Sequence, residues 1–216
     1  VNLALGFLAF GRLVYRNIYA RTATLADRYL LPSATYLSTL LLLFSYGLRW
    51  YVAGHIPMSN GFETMQFMAL ITLVVSCLLH RRFAVMLPFG LLLSGFALLV
   101  SHLGQSNPQI THLMPVLASP WLSLHVSVVM MGYSLLAFVM LTGIMGLCVK
   151  QQAESLMLLG RLLLYPAVFF LGIGIFLGAV WANQSWGSYW SWDPKEVWAL
   201  ITFMIYALGF HSQSVA

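Results

Sequence analysis

The stretch Trp186-Gly187-Ser188-Tyr189-Trp190-Ser191-Trp192-Asp193-Pro194-Lys195-Glu196 lies between two long apolar runs, and its reading decides the fold. Asp193 suits an N-cap, Pro194 the first helical position, and Glu196 the third position of a capping box, so a helix starts at Pro194. The apolar run before it, 158–181, is long enough to cross a hydrocarbon core of about 30 Å. The stretch therefore joins two membrane helices. Five of the seven tryptophans fall between Trp181 and Trp198. An interfacial aromatic belt alone requires no glycine, no fixed spacing and no cap. A preorganised aromatic wall with indole N–H groups to donate suits a large planar ligand instead.

Outward from this stretch the same pattern repeats. Hydrophobic residues make up 61% of the chain and charged residues 7%, and the mean hydropathy of +0.87 is far outside soluble norms. Runs of membrane-crossing length cover about 31–51, 62–79, 83–103, 121–148 and 158–181, and a sixth runs from Pro194 to the region of His211. Val1–Leu13 reads as the inner end of a first helix cut short. The expectation is an all-α, polytopic transmembrane helix bundle of about six spans plus a partial N-terminal one, forming a single transmembrane domain over 1–216. Cys77 and Cys148 sit inside apolar runs with no CxxC spacing, which argues against a disulfide or zinc site.

The net charge of +5 is a topology signal rather than a mark of nucleic-acid binding. Arg12, Arg16, Arg21, Arg28, Arg81, Arg82, Lys150 and Arg161 fall on one set of connections, and only Arg49 and Lys195 on the other. The positive-inside rule makes the first set cytoplasmic. Segments 52–61, 104–120 and 182–193 then face outwards.

The stretch from Trp186 through Pro194-Lys195-Glu196-Val197-Trp198-Ala199-Leu200-Ile201-Thr202 resembles the tryptophan-rich WWD signature of membrane haem-handling proteins in cytochrome c maturation. It is most similar to the CcsA (ResC) family of system II; the CcmC and CcmF branches of system I share the Trp core but usually continue differently. Two more segments carry the resemblance: Arg49-Trp50-Tyr51 with Gly54-His55-Ile56-Pro57-Met58-Ser59-Asn60 and Glu63, and Leu124-His125-Val126-Ser127. The resemblance runs from about residue 49 to the end. Phe62 and Phe203 depart from the usual Tyr and Trp. The family continues with further helices and a second external histidine, so the chain reads as a piece of a longer protein.

Haem iron takes axial ligands, usually histidine in a buried site. His125 lies four residues into its helix, at the depth of the Trp wall, and the resemblance implies an axial role for it. His211 follows Pro194 by about 26 Å of helix, too far to share a haem with His125. The resemblance implies a separate inner haem site there, completed by a CcsB (ResB) subunit. His55 matches the family motif without an assigned role; direct contact and support remain open. His80, His102 and His112 read as ordinary interfacial residues. Arg49 and Lys195 are candidates to pair with haem propionates, against simple snorkelling to headgroups. Glu63 reads as the N-terminal acid of its helix. The candidate cofactor contacts are thus His125, His211, Trp186, Trp190, Trp192, Asp193, His55, Arg49 and Lys195, with His125 and His211 on iron.

The implied function is haem handling and covalent attachment of haem b to apocytochrome c bearing CxxCH, as the CcsA subunit of a system II synthase. Its implied partners are CcsB, the apocytochrome and a thioredoxin-like thiol reductant. The implied location is the bacterial inner membrane or the plastid thylakoid, with residues 182–193 facing outside. The protein would supply proximity and orientation and keep iron reduced, and the addition chemistry would belong to haem and the thiols. Two readings compete: a haem transporter or chaperone without attachment activity, and an electron-transfer b-type cytochrome.

Overall fold

The structure, a computed structural model, describes residues 1–19, 24–104, 109–110, 119–149 and 152–211. Arg21, Lys150 and His112 lie outside the described residues. Every regular element among the described residues is a helix, with no strand among them. Among the described residues, five helical stretches are long and apolar enough to cross a membrane. With these spans the protein is an all-α, polytopic integral membrane protein. The chain divides into two compact units, 1–110 and 111–216.

Unit 1 contains α1 (Asn2–Ile18), a π-helical turn (Ala26–Leu30) leading into α2 (Leu31–Ala53), α3 (Gly61–Leu79) and α4 (Met86–Gly104). α4 packs on both α1 and α3, and α2 packs on α3. Between membrane helices the driving force is close packing and hydrogen bonding rather than water exclusion. Gly90 of α4 accordingly lies directly against Ser76 of α3, where no Cβ would fit. A buried polar relay adds to it: Ser38 donates to Asn2 Oδ1 at 2.7 Å and Asn2 donates to Ser94 at 3.3 Å, tying α2, α1 and α4. The outward face of α2 is the opposite case, with Leu37, Leu40, Leu41, Leu43 and Phe44 all exposed. On a soluble protein such a stripe would be a binding patch; on a membrane helix it suits the apolar surroundings of a bilayer.

Unit 2 contains α5 (Pro120–Cys148), α6 (Ala153–Trp186), α7 (Pro194–Leu208) and a 3₁₀ turn (Gly209–His211). α5 and α6 form an antiparallel pair with a core of Leu135, Leu136, Phe138, Leu159, Leu163 and Leu171. α7 returns along α6, where Phe203 rests on Gly172 and Phe210 stacks on Tyr165 with centroids 5.1 Å apart. The sixth run is thus a helix of 15 residues, too short to count with the five crossing stretches, so the described residues hold five such spans where about six were expected. α6 is longer than its apolar run suggests. It continues through Ala182, Asn183, Gln184 and Ser185 to Trp186, so the connection to α7 shrinks from the expected 182–193 to 187–193.

Candidate functional site

Three helix ends converge in unit 2: the start of α5, the end of α6 and the start of α7. Gly187 ends α6 in the left-handed conformation (φ 77°), with its N–H on Asn183 O at 2.9 Å. A side chain there would be strained, so glycine is the ordinary choice. At the other end of the short loop the expected capping box is present. The Asp193 carboxylate accepts the Glu196 N–H at 2.9 Å, and Glu196 accepts the Asp193 N–H at 3.4 Å. Glu196 does more than cap, because its Oε2 also accepts the Ser191 N–H at 2.8 Å. Ser191 sits between Trp190 and Trp192, so one carboxylate anchors both rings to α7. The Glu196 N–H bond, with the Lys195 ammonium 3.3 Å away, holds the Asp193 carboxyl below the usual carboxylate range.

His125 projects from α5 onto α6. Its Nδ1 lies 2.7 Å from Gly174 O. A carbonyl only accepts, so Nδ1 carries the proton and neutral imidazole keeps its Nε2 lone pair. No described residue bonds Nε2. Room for the ring comes from Gly178, where a Cβ would stand 2.6 Å from His125 Cε1. Gly174 and Gly178 form a Gly-x-x-x-Gly pair: one supplies the acceptor, the other the space.

A cavity of about 260 Å³ opens beside this imidazole. Trp181, Trp186, Tyr189 and Trp190 line it with His125, and Asp193, Lys195 and Glu196 close its rim. Trp181 and Trp186 meet edge to face at 6.2 Å. The indole nitrogens of both Trp181 and Trp190 are buried with no acceptor among the described residues. An unmet buried N–H costs about 1–3 kcal/mol, and these two lie beside one cavity.

The structure brings together His125, Trp186, Trp190, Asp193 and Lys195. Trp192 is not among the lining residues. It is 71% exposed and holds φ 58°, a left-handed backbone rare for a bulky side chain, with its ring edge-on to Trp190. Trp181, from the last turns of α6, takes the place expected of it. His211 is exposed in the 3₁₀ turn at the far end of α7, beside an apolar groove of about 680 Å³ between α6 and α7. In unit 1, His55 is half-buried with Nδ1 on Ile56 O at 3.0 Å.

Arg49 pairs with Glu63 at 2.8 Å, in the same unit. Glu63 is fully buried, and its other oxygen accepts the Ser59 N–H and hydroxyl at 2.8 and 2.7 Å. The acid read as a helix-terminal charge is thus the hub that folds the 54–60 loop against α3. His80 shares a 2.6 Å hydrogen bond with Tyr36, and burial, with Arg81 nearby, pulls its imidazole below the usual range. His102 is exposed at the end of α4.

In unit 2 a membrane histidine with an open Nε2 thus faces a tryptophan-lined cavity. Residues 58–215 match the Cytochrome C assembly protein family. The chain is 32% identical to the cytochrome c biogenesis protein CcsA of Trieres chinensis, over 98% of this chain and 83% of that protein. It is 32% identical to CcsA of Prochlorococcus marinus (strain MIT 9301), over 90% of this chain and 74% of that one. Protein NrfI of Wolinella succinogenes is 35% identical over 97% of the chain, which spans 24% of that longer protein. The chain belongs to the CcsA family of cytochrome c assembly proteins.

Proposed function

We propose that this protein takes part in cytochrome c maturation by holding haem b at the His125 cavity for covalent attachment to an apocytochrome c. The observation that carries this reading is the His125–Gly174 bond beside two orphaned indole donors. The residues fit the group. Nε2 of His125 would hold the haem iron, and the hydrogen bond on the opposite nitrogen, to Gly174 O, is the usual way of fixing such a ligand. Trp181, Trp186 and Trp190 form the wall, and the Trp181 and Trp190 N–H groups would donate to propionate oxygens. Lys195, paired with Asp193 at the rim, adds charge there.

The cavity of about 260 Å³ is just below the usual range of roughly 300–1,000 Å³ for small-molecule pockets. It would enclose part of a porphyrin and leave the rest reachable by a second protein. Bound haem supplies the vinyl groups to which the CxxCH thiols add. His125 and the tryptophan wall orient it and keep water off one face.

His211, beside the apolar groove of α6 and α7, would serve a separate inner site completed by a CcsB-type subunit. A thioredoxin-like reductant would keep the acceptor thiols reduced. The basic connections would lie on the cytoplasmic side, with residues 187–193 facing outwards from a bacterial inner or thylakoid membrane.

The test is the visible spectrum of the full-length protein, purified with its partner, as His125→Ala and His211→Ala. Separate loss of two haem populations is expected. A wild-type protein with no Soret absorption sinks the reading, and so does a haem that survives both substitutions.

A further inference from the structure

Unit 1 contains a polar cavity that haem handling does not use. It encloses about 200 Å³ where α1 ends and α2 begins. Leu13 and Arg16 come from α1, Asp27 and Arg28 from the π-helical turn, Pro32 from α2, and His80 from the end of α3. One side is apolar and the other is charged. The single acid is fully engaged: Asp27 accepts from Arg12 Nε at 3.0 Å and from the Thr24 N–H and hydroxyl at 3.0 and 2.9 Å, with Arg16 3.6 Å away. Two guanidinium groups thus meet one carboxylate, leaving a positive excess. Arg28 adds to it. Its guanidinium lies 5.9 Å from the Tyr29 ring centre and bonds no acid among the described residues. Arg81 and Arg82 are exposed beside His80.

The backbone shape is specific to the place. The Leu31 N–H reaches back five residues to Ala26 O, and this widened turn sets Asp27 and Arg28 at the cavity. Such π turns are rare and concentrate at functional sites. Snorkelling accounts for arginines on an open helix end; it does not account for arginines walling a cavity whose other side is apolar. Tyr15, Tyr19 and Tyr29 are exposed nearby, as aromatic side chains are at a bilayer interface. Basic pockets between membrane helices match anionic headgroups.

We propose that this cavity binds the headgroup phosphate of an anionic phospholipid, with Arg28 and Arg16 on the phosphate oxygens and Leu13 and Pro32 against the glycerol. The site is independent of the haem reading and stands if that reading fails.

The test uses the full chain in phosphatidylcholine nanodiscs or detergent, titrated with phosphatidylglycerol and read by native mass spectrometry. One phosphatidylglycerol retained per chain in preference to phosphatidylcholine is expected. Arg28→Gln removes an exposed side chain with no buried partner, so the fold should survive. The substitution should weaken retention about fivefold, the value of one interfacial cation. Arg161→Gln, an exposed arginine of α6, should leave retention unchanged. Equal retention of the two lipids overturns the proposal, as does an equal loss from both substitutions. Binding of sn-glycerol 3-phosphate as tight as that of the lipid would assign the site to a soluble phosphate and overturn it too.

Discussion

Gly178→Ala tests the site through the residue that lines the cavity beside His125 and gives its ring room. The added Cβ would stand 2.6 Å from His125 Cε1 and 2.9 Å from Nδ1, where ordinary contact begins at 3.4 Å. The imidazole must therefore retreat by about 0.8 Å. A shift of that size strains the 2.7 Å bond to Gly174, a loss of about 0.5–1.5 kcal/mol. Alanine gains about 1 kcal/mol over glycine in a helix interior. The two nearly cancel, so thermal stability should change little. Ligand geometry has no such offset. A misplacement near 1 Å at a reacting centre costs about 100-fold in rate, and haem attachment to a CxxCH acceptor should fall by that order. Gly143→Ala on α5, with nothing within 4 Å of the new methyl group, is the matched control. Haem titration, thioether formation and melting would be measured on both variants. Wild-type haem affinity and attachment in Gly178→Ala would refute the assignment of His125 as a preorganised ligand.

Trp181→Phe and Trp190→Phe keep a ring and remove one donor each. Each should weaken binding of haem several-fold and leave binding of its dimethyl ester unchanged; equal losses for acid and ester would show that the donors do not meet the propionates. Glu63→Ala removes the buried carboxylate that bonds Arg49 and Ser59 and should cost about 3–5 kcal/mol, seen as a lower melting temperature for unit 1; an unchanged melt would place the pair outside the fold's stability. The depressed Asp193 carboxyl makes its cap fully effective above the unfolded value, near pH 4, and lost as pH falls through the lower folded value. Amide exchange at the first turn of α7 should rise over that acid range in the wild type and be fast at every pH in Asp193→Ala.

Much of this was readable along the chain. Apolar length set the crossing helices, and Asp193-Pro194-Lys195-Glu196 placed the start of α7 to the residue, because a cap is a local device. The site was less legible because its contacts cross between helices. The bond from His125 to Gly174 spans 49 residues, and nothing around His125 announces its acceptor. A usable signal was present in Gly174-x-x-x-Gly178, a close-packing spacing for membrane helices. Trp181 escaped because the apolar run ends there while the helix does not. Polar Asn183, Gln184 and Ser185 continue α6 and carry Trp181 and Trp186 on one rigid rod. The turn of Trp192 away from the cavity depends on a left-handed backbone angle that residue type argues against. Glu63 looked like a dipole partner because burial is invisible to a motif.

The pairing of Gly174 and Gly178 makes His125 a register mark between two helices. α5 can slide along α6 by only a fraction of the roughly 1.5 Å rise per residue before the imidazole loses either its acceptor or its space. Only one alignment of the pair presents an open Nε2 to the cavity. Ligand capture at the proposed site would thereby read out whether the helix hairpin has packed correctly, and a misaligned chain would be recognisable by its failure to hold the ligand.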